Sequence, residues 1–262
     1  MEIWFYLEHD RCAPAWNMAC DQWLLQNARR LGWPVLRVYG WDRPSISIGY
    51  FQPYPSQVGA HYTVVRRPTG GGLVFHDFDL TFTVALPPSH PWRKLNVCER
   101  YARVHERICG VFEQRGQEAS LASFDSRFTN HAAMPDPQPS AFSLQPSVFS
   151  PQSSVLNPPL CFARSTRYDV VIAGVKVAGG AQRVTRDGLI HQGSIQPGDG
   201  PAVLARELKE AWERSGVNFE KLVLSFEHRA EIDELVTTQF GVQSWNEHGG
   251  RGNSQRNFAS TK

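Results

Sequence analysis

No stretch of the 262 residues approaches the run of about 18 apolar side chains that a membrane-crossing helix needs. The opening decapeptide carries Glu2, Glu8 and Asp10, and its apolar stretch is too short for a signal peptide, so the expected location is cytoplasmic. Charge of one sign is also missing. Lys and Arg number 27 against 25 Asp and Glu, a formal net charge of +2, which is too mild for a nucleic-acid binder without a clustered basic face. The five cysteines, Cys12, Cys20, Cys98, Cys109 and Cys161, are odd in number and contain no Cys-x-x-Cys pair. Neither a disulfide framework nor a zinc site is favoured, and most of these thiols are expected to be small packing residues. No carboxylate pair, metal-ligand spacing or Ser-His-Asp order stands out, so no metal is expected.

What is present is a globular composition, 41% hydrophobic with eight tryptophans, long enough to bury a full core. Ile3–Leu7 reads as a strand, and Trp16–Leu31 as a helix through Ala19, Trp23, Leu24, Ala28 and Leu31. Gly32 and Pro34 stop it. Short β-rich runs follow at Val35–Tyr39, Ser45–Tyr50, Tyr62–Arg66 and Leu80–Leu86. Their connections are too short for repeated βαβ crossovers, which predicts an α/β (α+β) chain with a mixed, largely antiparallel sheet flanked by helices. Helices are predicted over Leu95–Phe112, from Pro201 to the stop at Gly216, and near Arg229–Phe240.

Ala173-Gly174 has the form of a two-residue hairpin connection between Tyr168–Ile172 and Val175–Ala178, and a further strand pair from Gln182 to Ile195 turns near Asp187-Gly188. From His131 to Pro159 the composition turns to Pro, Ser and Gln without periodicity, which reads as a mobile insertion at 131–159. The whole is expected to be one domain over 1–246, with a frayed tail at 247–262.

Two glycine-rich segments carry the chemistry: Arg66-Arg67-Pro68-Thr69-Gly70-Gly71-Gly72, leading to Phe75-His76-Asp77, and Gly174-Val175-Lys176-Val177-Ala178-Gly179-Gly180-Ala181-Gln182-Arg183. Consecutive glycines without Cβ let backbone N–H groups approach a polar ligand. Lys176, set among small and apolar neighbours, can place a single ammonium where burial makes it decisive.

Together with His191-Gln192-Gly193-Ser194-Ile195, Asn17-Met18-Ala19 with Asp21, Leu36–Trp41 and Ser45–Gln52, these segments resemble the lipoate ligase and octanoyltransferase family, related to biotin ligases. With Leu36–Trp41 and Ser45–Gln52 taken as one, five motifs in order make the resemblance specific where one would be weak. It implies the catalytic-domain fold of biotin and lipoate ligases, a mixed sheet with helices on one side. It also implies a place for Cys161-Phe162, which sits before the Lys-bearing hairpin where the octanoyltransferase branch has the cysteine that takes the acyl chain as a thioester.

On that reading Cys161 is the nucleophile, its thiolate favoured by nearby cations, and Lys176 holds the acyl carbonyl oxygen or an adenylate phosphate. Arg66, Arg67 and Thr69 face the head group, while Gly70, Gly71 and Gly72 wall the acyl tunnel. Gly179, Gly180 and Ala181 complete the lining. His76 and His191 are candidates beside it, each with a hydrogen-bonded structural role as the plainer alternative. Asp77 and Asp169 read as loop or hairpin supports.

The activity implied is octanoyl or lipoyl transfer from octanoyl acyl carrier protein to a lysine of a lipoyl domain or of glycine cleavage H protein, with no cofactor. The Gly70–Gly72 run is closer to ATP-using ligases, so a lipoate-protein ligase that needs ATP and magnesium is the alternative. A non-catalytic lipoyl-domain-binding module and a biotin ligase come behind both. Neither nucleic acid nor membrane is an expected partner.

Overall fold

The computed structural model describes residues 1–55, 58–123, 166–196 and 200–249. The stretch predicted as an insertion, 131–159, lies outside them, as do Cys161 and most of the predicted tail. Eight strands form the main sheet: β1 (Glu2–Cys12), β2 (Val35–Trp41), β6 (Leu80–Leu86), β7 (Ala119–Leu121), β8 (Val170–Ile172), β9 (Val175–Val184), β10 (Leu189–Ile195) and β11 (Val217–Lys221). Their order is β11-β1-β2-β6-β10-β9-β8-β7. β1 runs parallel to both β11 and β2, and the remaining pairs are antiparallel. A second, three-stranded sheet is built from β3 (Ser45–Ile48) between β4 (Thr63–Arg66) and β5 (Val74–His76). The mixed architecture predicted from the short connections is therefore present.

Helices cover both faces of the main sheet rather than one. Alternation in β2 sends Leu36 and Val38 to one side and Val35 and Tyr39 to the other, and all four are buried. On the first side they pack with α2 (Val97–Gln114) and α3 (Pro201–Arg214), through Val104, Ile108, Leu204, Leu208 and Trp212. On the other lie α1 (Pro14–Leu31) and α4 (Phe226–Leu235), through Met18, Trp23, Leu24 and Ile232. A strand apolar on both faces has to be covered twice.

Local chemistry sets the ends. Pro14 and Pro201 open α1 and α3, where a missing N–H costs nothing. Gly32, at φ 74°, closes α1 in the left-handed conformation. Asn96 and Glu99 satisfy each other's backbone N–H groups at the start of α2. The predicted last helix continues beyond α4 as a π-turn over Val236–Phe240, and α5 (Gln243–His248), absent from the sequence reading, follows it.

Candidate functional site

The site begins with a buried polar network on α1. Arg37 donates to Asp21 Oδ1 at 2.6 Å and to Asn17 Oδ1 at 2.7 Å, with all three residues fully buried. Asp21 Oδ2 accepts from the Tyr39 hydroxyl (2.7 Å), the Thr83 hydroxyl (2.8 Å) and the Gln192 amide (2.6 Å). A buried carboxylate is tolerable when cations and donors surround it in this way. Burial, then the Asp21 charge, raise the Tyr39 pKa well above its ordinary value, so its hydroxyl stays a donor. Gln192 Oε1 in turn accepts from Thr69 Oγ1 at 2.6 Å, which joins the network to the glycine loop.

The loop is held from below by Arg67. Its guanidinium donates to the carbonyls of Gly70 (2.7 and 3.0 Å) and Gly72 (2.6 Å) and to Ser47 O and Oγ. Gly71 takes φ 87°, which favours glycine, and a Cβ on Gly49 would sit 2.1 Å from the Gly71 carbonyl, so the two backbones meet only because Gly49 has no side chain. Arg66, expected to face a head group, is turned elsewhere. It donates to the carbonyls of Gly49, Tyr50 and Gln52 on one side and of Trp245, Asn246 and Glu247 on the other.

Lys176 lies on a hairpin whose second strand, β9, meets the loop where Gly71 comes against Ala181. Ala173 (φ 49°) and Gly174 (φ 79°) form its two-residue turn, as predicted, with Ile172 opposite Val175. The sequence reading ended one strand at Ala178 and began the next at Gln182, whereas β9 runs on through 179–181 without a break. Gly179 is bare because Lys176 lies over it, its Nζ 2.7 Å from where a Cβ would stand. The ammonium binds Asp169 Oδ2 at 2.8 Å, both side chains almost wholly buried. Asp169 Oδ2 also accepts from the Thr166 N–H and hydroxyl.

A cleft is lined by Gly179, Gly180 and Ala181 on one wall, by Met18, Tyr39 and Trp41 on another, and by Ser47, Arg67, His76, Thr81, Gln192 and Ser194. His76 lies stacked on Trp41 at 4.0 Å, its two nitrogens bonded to Asp79 Oδ2 (2.9 Å) and Ser47 Oγ (2.7 Å). Asp79 Oδ2 also accepts from Ser194 and Thr81, while Oδ1 is buried without a partner among the described residues. A second cleft of about 410 Å³ shares Tyr39, Trp41 and His76 with the first.

Of the predicted residues, Arg67, His76, Gly179, Gly180 and Ala181 line the cleft, while Thr69 adjoins it through Gln192, the glycine loop through Arg67, and Lys176 through Gly179. The structure sets Arg66 and His191 apart. His191 points to the opposite face of the sheet, against Phe82, Tyr101 and His105. Sequence reasoning missed Ser47, Asp79, Gln192 and Ser194. Strand alternation was the available signal: in His191-Gln192-Gly193-Ser194 the second and fourth residues share a face that the first does not.

Cys161 lies outside the described residues. Of the described thiols, Cys20 is pushed up to about 12 and Cys109 to about 11 by burial, and burial also raises Cys12. All three suit packing rather than nucleophilic work. Among the described residues no cluster of His, Cys, Asp or Glu could hold a metal ion, and no helix is long and apolar enough to cross a membrane.

Residues 13–197 match the family model for the lipoyl protein ligase A/B catalytic domain. The chain is 28% identical to octanoyltransferase LipM of Geobacillus kaustophilus, over 94% of this chain and 98% of that protein. It is 33% identical to octanoyltransferase LipM of Halalkalibacterium halodurans, over 74% of this chain and 66% of the relative. Among solved structures, lipoate-protein ligase A bound with ATP superposes with a TM-score of 0.67 at 17% identity, over 95% of this chain and 98% of the other. The bipartite lipoate protein ligase of Thermoplasma acidophilum gives 0.65 at 15%, again over 95% and 98%.

Proposed function

Because the chain belongs to the lipoyl protein ligase A/B catalytic-domain family, we propose that it moves an octanoyl or lipoyl group from acyl carrier protein to one lysine of a lipoyl domain or of glycine cleavage H protein. The observation that carries this reading is the buried Lys176–Asp169 pair laid over Gly179 at the wall of the cleft. The relatives named octanoyltransferase LipM support the choice of acyl group.

In the first step the Cys161 thiolate attacks the donor's thioester carbonyl, and the carrier's thiolate leaves and takes a proton. In the second, the acceptor's lysine amine attacks the enzyme thioester, loses its proton, and expels the Cys161 thiolate. Thioester exchange is nearly balanced in energy, and formation of the amide draws the sequence forward. Lys176 would hold the carbonyl oxygen as negative charge grows on it, acting in a site where little water competes. The stacked Trp41–His76 pair and the glycine loop would confine the acyl chain, and Arg67 keeps the loop in shape. The donor brings its own activation, so this route needs no nucleotide.

Incubation with octanoyl carrier protein in the absence of nucleotide, followed by intact mass, should give one acyl adduct that hydroxylamine removes and Cys161→Ala abolishes. ATP-dependent pyrophosphate release with full activity in the alanine variant would instead make the protein a ligase. No adduct and no turnover under either condition would leave only a binding module.

A further inference from the structure

On the face of the sheet away from the cleft, four side chains, buried except for a half-buried Gln182, make a continuous line to the Lys176 site. Arg100 Nε donates to Gln182 Oε1 at 3.0 Å. A guanidinium can only donate, so the Gln182 atom facing it must be the carbonyl oxygen, and its NH₂ is the group 3.0 Å from His191 Nδ1. His191 Nδ1 is therefore an acceptor and its proton sits on Nε2. That proton points at His105 Nε2, 3.1 Å away, which must be bare. The His105 proton is left on Nδ1, where it is donated to the Tyr168 carbonyl at 2.5 Å. One cation at the far end thus sets the direction of every bond in the line.

The line ends on an unusual peptide. Tyr168 is held at φ 73°, a left-handed conformation that a residue with a bulky side chain adopts only when its surroundings enforce it. The carbonyl that His105 grips belongs to the peptide joining Tyr168 to Asp169, and Asp169 carries the Lys176 ammonium. Gly180 has no side chain because His191 fills its place, with Nε2 2.2 Å from where a Cβ would stand. The two neighbouring glycines of β9 therefore admit two different groups from opposite faces: Lys176 over Gly179, and His191 against Gly180.

We propose that His105 and His191 are positioning residues, which hold the Tyr168–Asp169 peptide, and through it Lys176, by a hydrogen-bond line of single polarity that starts at Arg100. The role assigned to Lys176 above is a premise of this inference; the polarity of the line is independent of it. Both rings are neutral in this arrangement, because a second proton on either would set two N–H groups against each other or one against the Gln182 amide. Burial lowers both pKa values, and for His191 the neighbouring His105 lowers it further. The charged and titratable groups around the pair are Arg100 and Tyr101 from α2, Lys176 from β9 and Asp169.

Nitrogen-15 NMR of histidine-labelled protein reads the line directly. The expected spectrum has His105 protonated at Nδ1, His191 protonated at Nε2, and both still neutral at pH 6. Opposite tautomers, or either ring titrating in the ordinary histidine range, would overturn the polarity.

Activity then tests what the line does. His105→Leu should lower kcat by roughly 10- to 100-fold while the KM for acyl carrier protein changes little, since misplacing a catalytic group costs about that much. His105→Asn, whose amide can take the place of Nδ1–H, should recover most of the loss. Full kcat in the leucine variant, or equal loss in both variants, would make the histidines packing residues only. A Lys176→Ala protein that keeps full transfer activity would instead remove the premise about Lys176, with the NMR result standing apart from it.

Discussion

Gly179 and Gly180 occupy adjacent positions on one strand yet are bare for different reasons. A methyl group at 179 would meet Lys176 Cε at 2.6 Å, Lys176 Nζ at 2.7 Å and Asp169 Oδ1 at 2.9 Å. The lysine end is flexible and can swing aside, so the expected cost falls on function. Gly179→Ala should fold with a small loss of stability and transfer acyl groups roughly 10-fold or more slowly, since the ammonium is displaced from its place. At 180 the obstruction is the His191 ring at 2.2 Å and the Gln192 carbonyl at 2.9 Å, neither of which can retreat. Gly180→Ala should lose about 1–3 kcal/mol, the range for overpacking a filled interior. Urea unfolding and a steady-state assay on both variants separate the two effects. A Gly179→Ala protein with normal kcat would mean that the Lys176 ammonium is not confined in the way described.

At the scale of elements, strand and helix identities followed from periodicity and punctuation, because those signals are local. Pro14, Gly32, Pro201 and the Ala173-Gly174 turn lie where their backbone preferences require. The glycine run of β9 was the place where local reasoning misled. Gly-Gly reads as a break in isolation, but here the strand pairs continuously with β10, Gly179 opposite Ser194 and Gly180 opposite Gly193. Only tertiary neighbours explain why a strand lacks side chains there. The same limit applies to Arg66. Its place in the Arg66-Arg67 pair pointed to ligand binding, whereas its acceptors are backbone carbonyls of two segments far apart in the chain, Gly49–Gln52 and Trp245–Glu247. Lys176 was legible because a lone cation beside glycines within a hairpin is a local pattern. Ser47 and Asp79 were not, because each reaches a cleft only when the two sheets converge at His76.

For the whole molecule, buried neutral histidines tie stability to pH. The ordinary imidazole value is 6.5, and burial holds both His105 and His191 below it in the folded state. His9 is lowered to about 3, first by burial and then by Arg37, and His90 is lowered by burial. The unfolded chain therefore binds protons that the folded protein refuses. Stability is fully present above about pH 6.5 and declines as the pH falls, with a limiting slope of about 1.4 kcal/mol per pH unit for each fully buried ring. Between pH 6.5 and 4.5 this loss precedes that from Asp42 and Glu231, carboxylates lowered by Arg43 and Arg30 from ordinary values of 3.8 and 4.5. Urea midpoints across that interval should fall steadily, and a flat profile would contradict buried neutral rings. The same curves test the reading of 1–246 as one domain, which requires a single transition; two separated transitions would divide it.

Arg66 also imposes an order of events. Its guanidinium gathers carbonyls from the bend after β3 and from α5, and the Trp245 indole returns a bond to the Arg66 carbonyl. During synthesis from the N-terminus, the first set is made early while the second has not yet left the ribosome. The cation must then wait, half-coordinated, beside the loop that borders the cleft. Chains released after residue 242 should be cut by protease within 49–55 where the 262-residue chain resists, so the enzyme's first half would acquire its working rigidity only as α5 arrives.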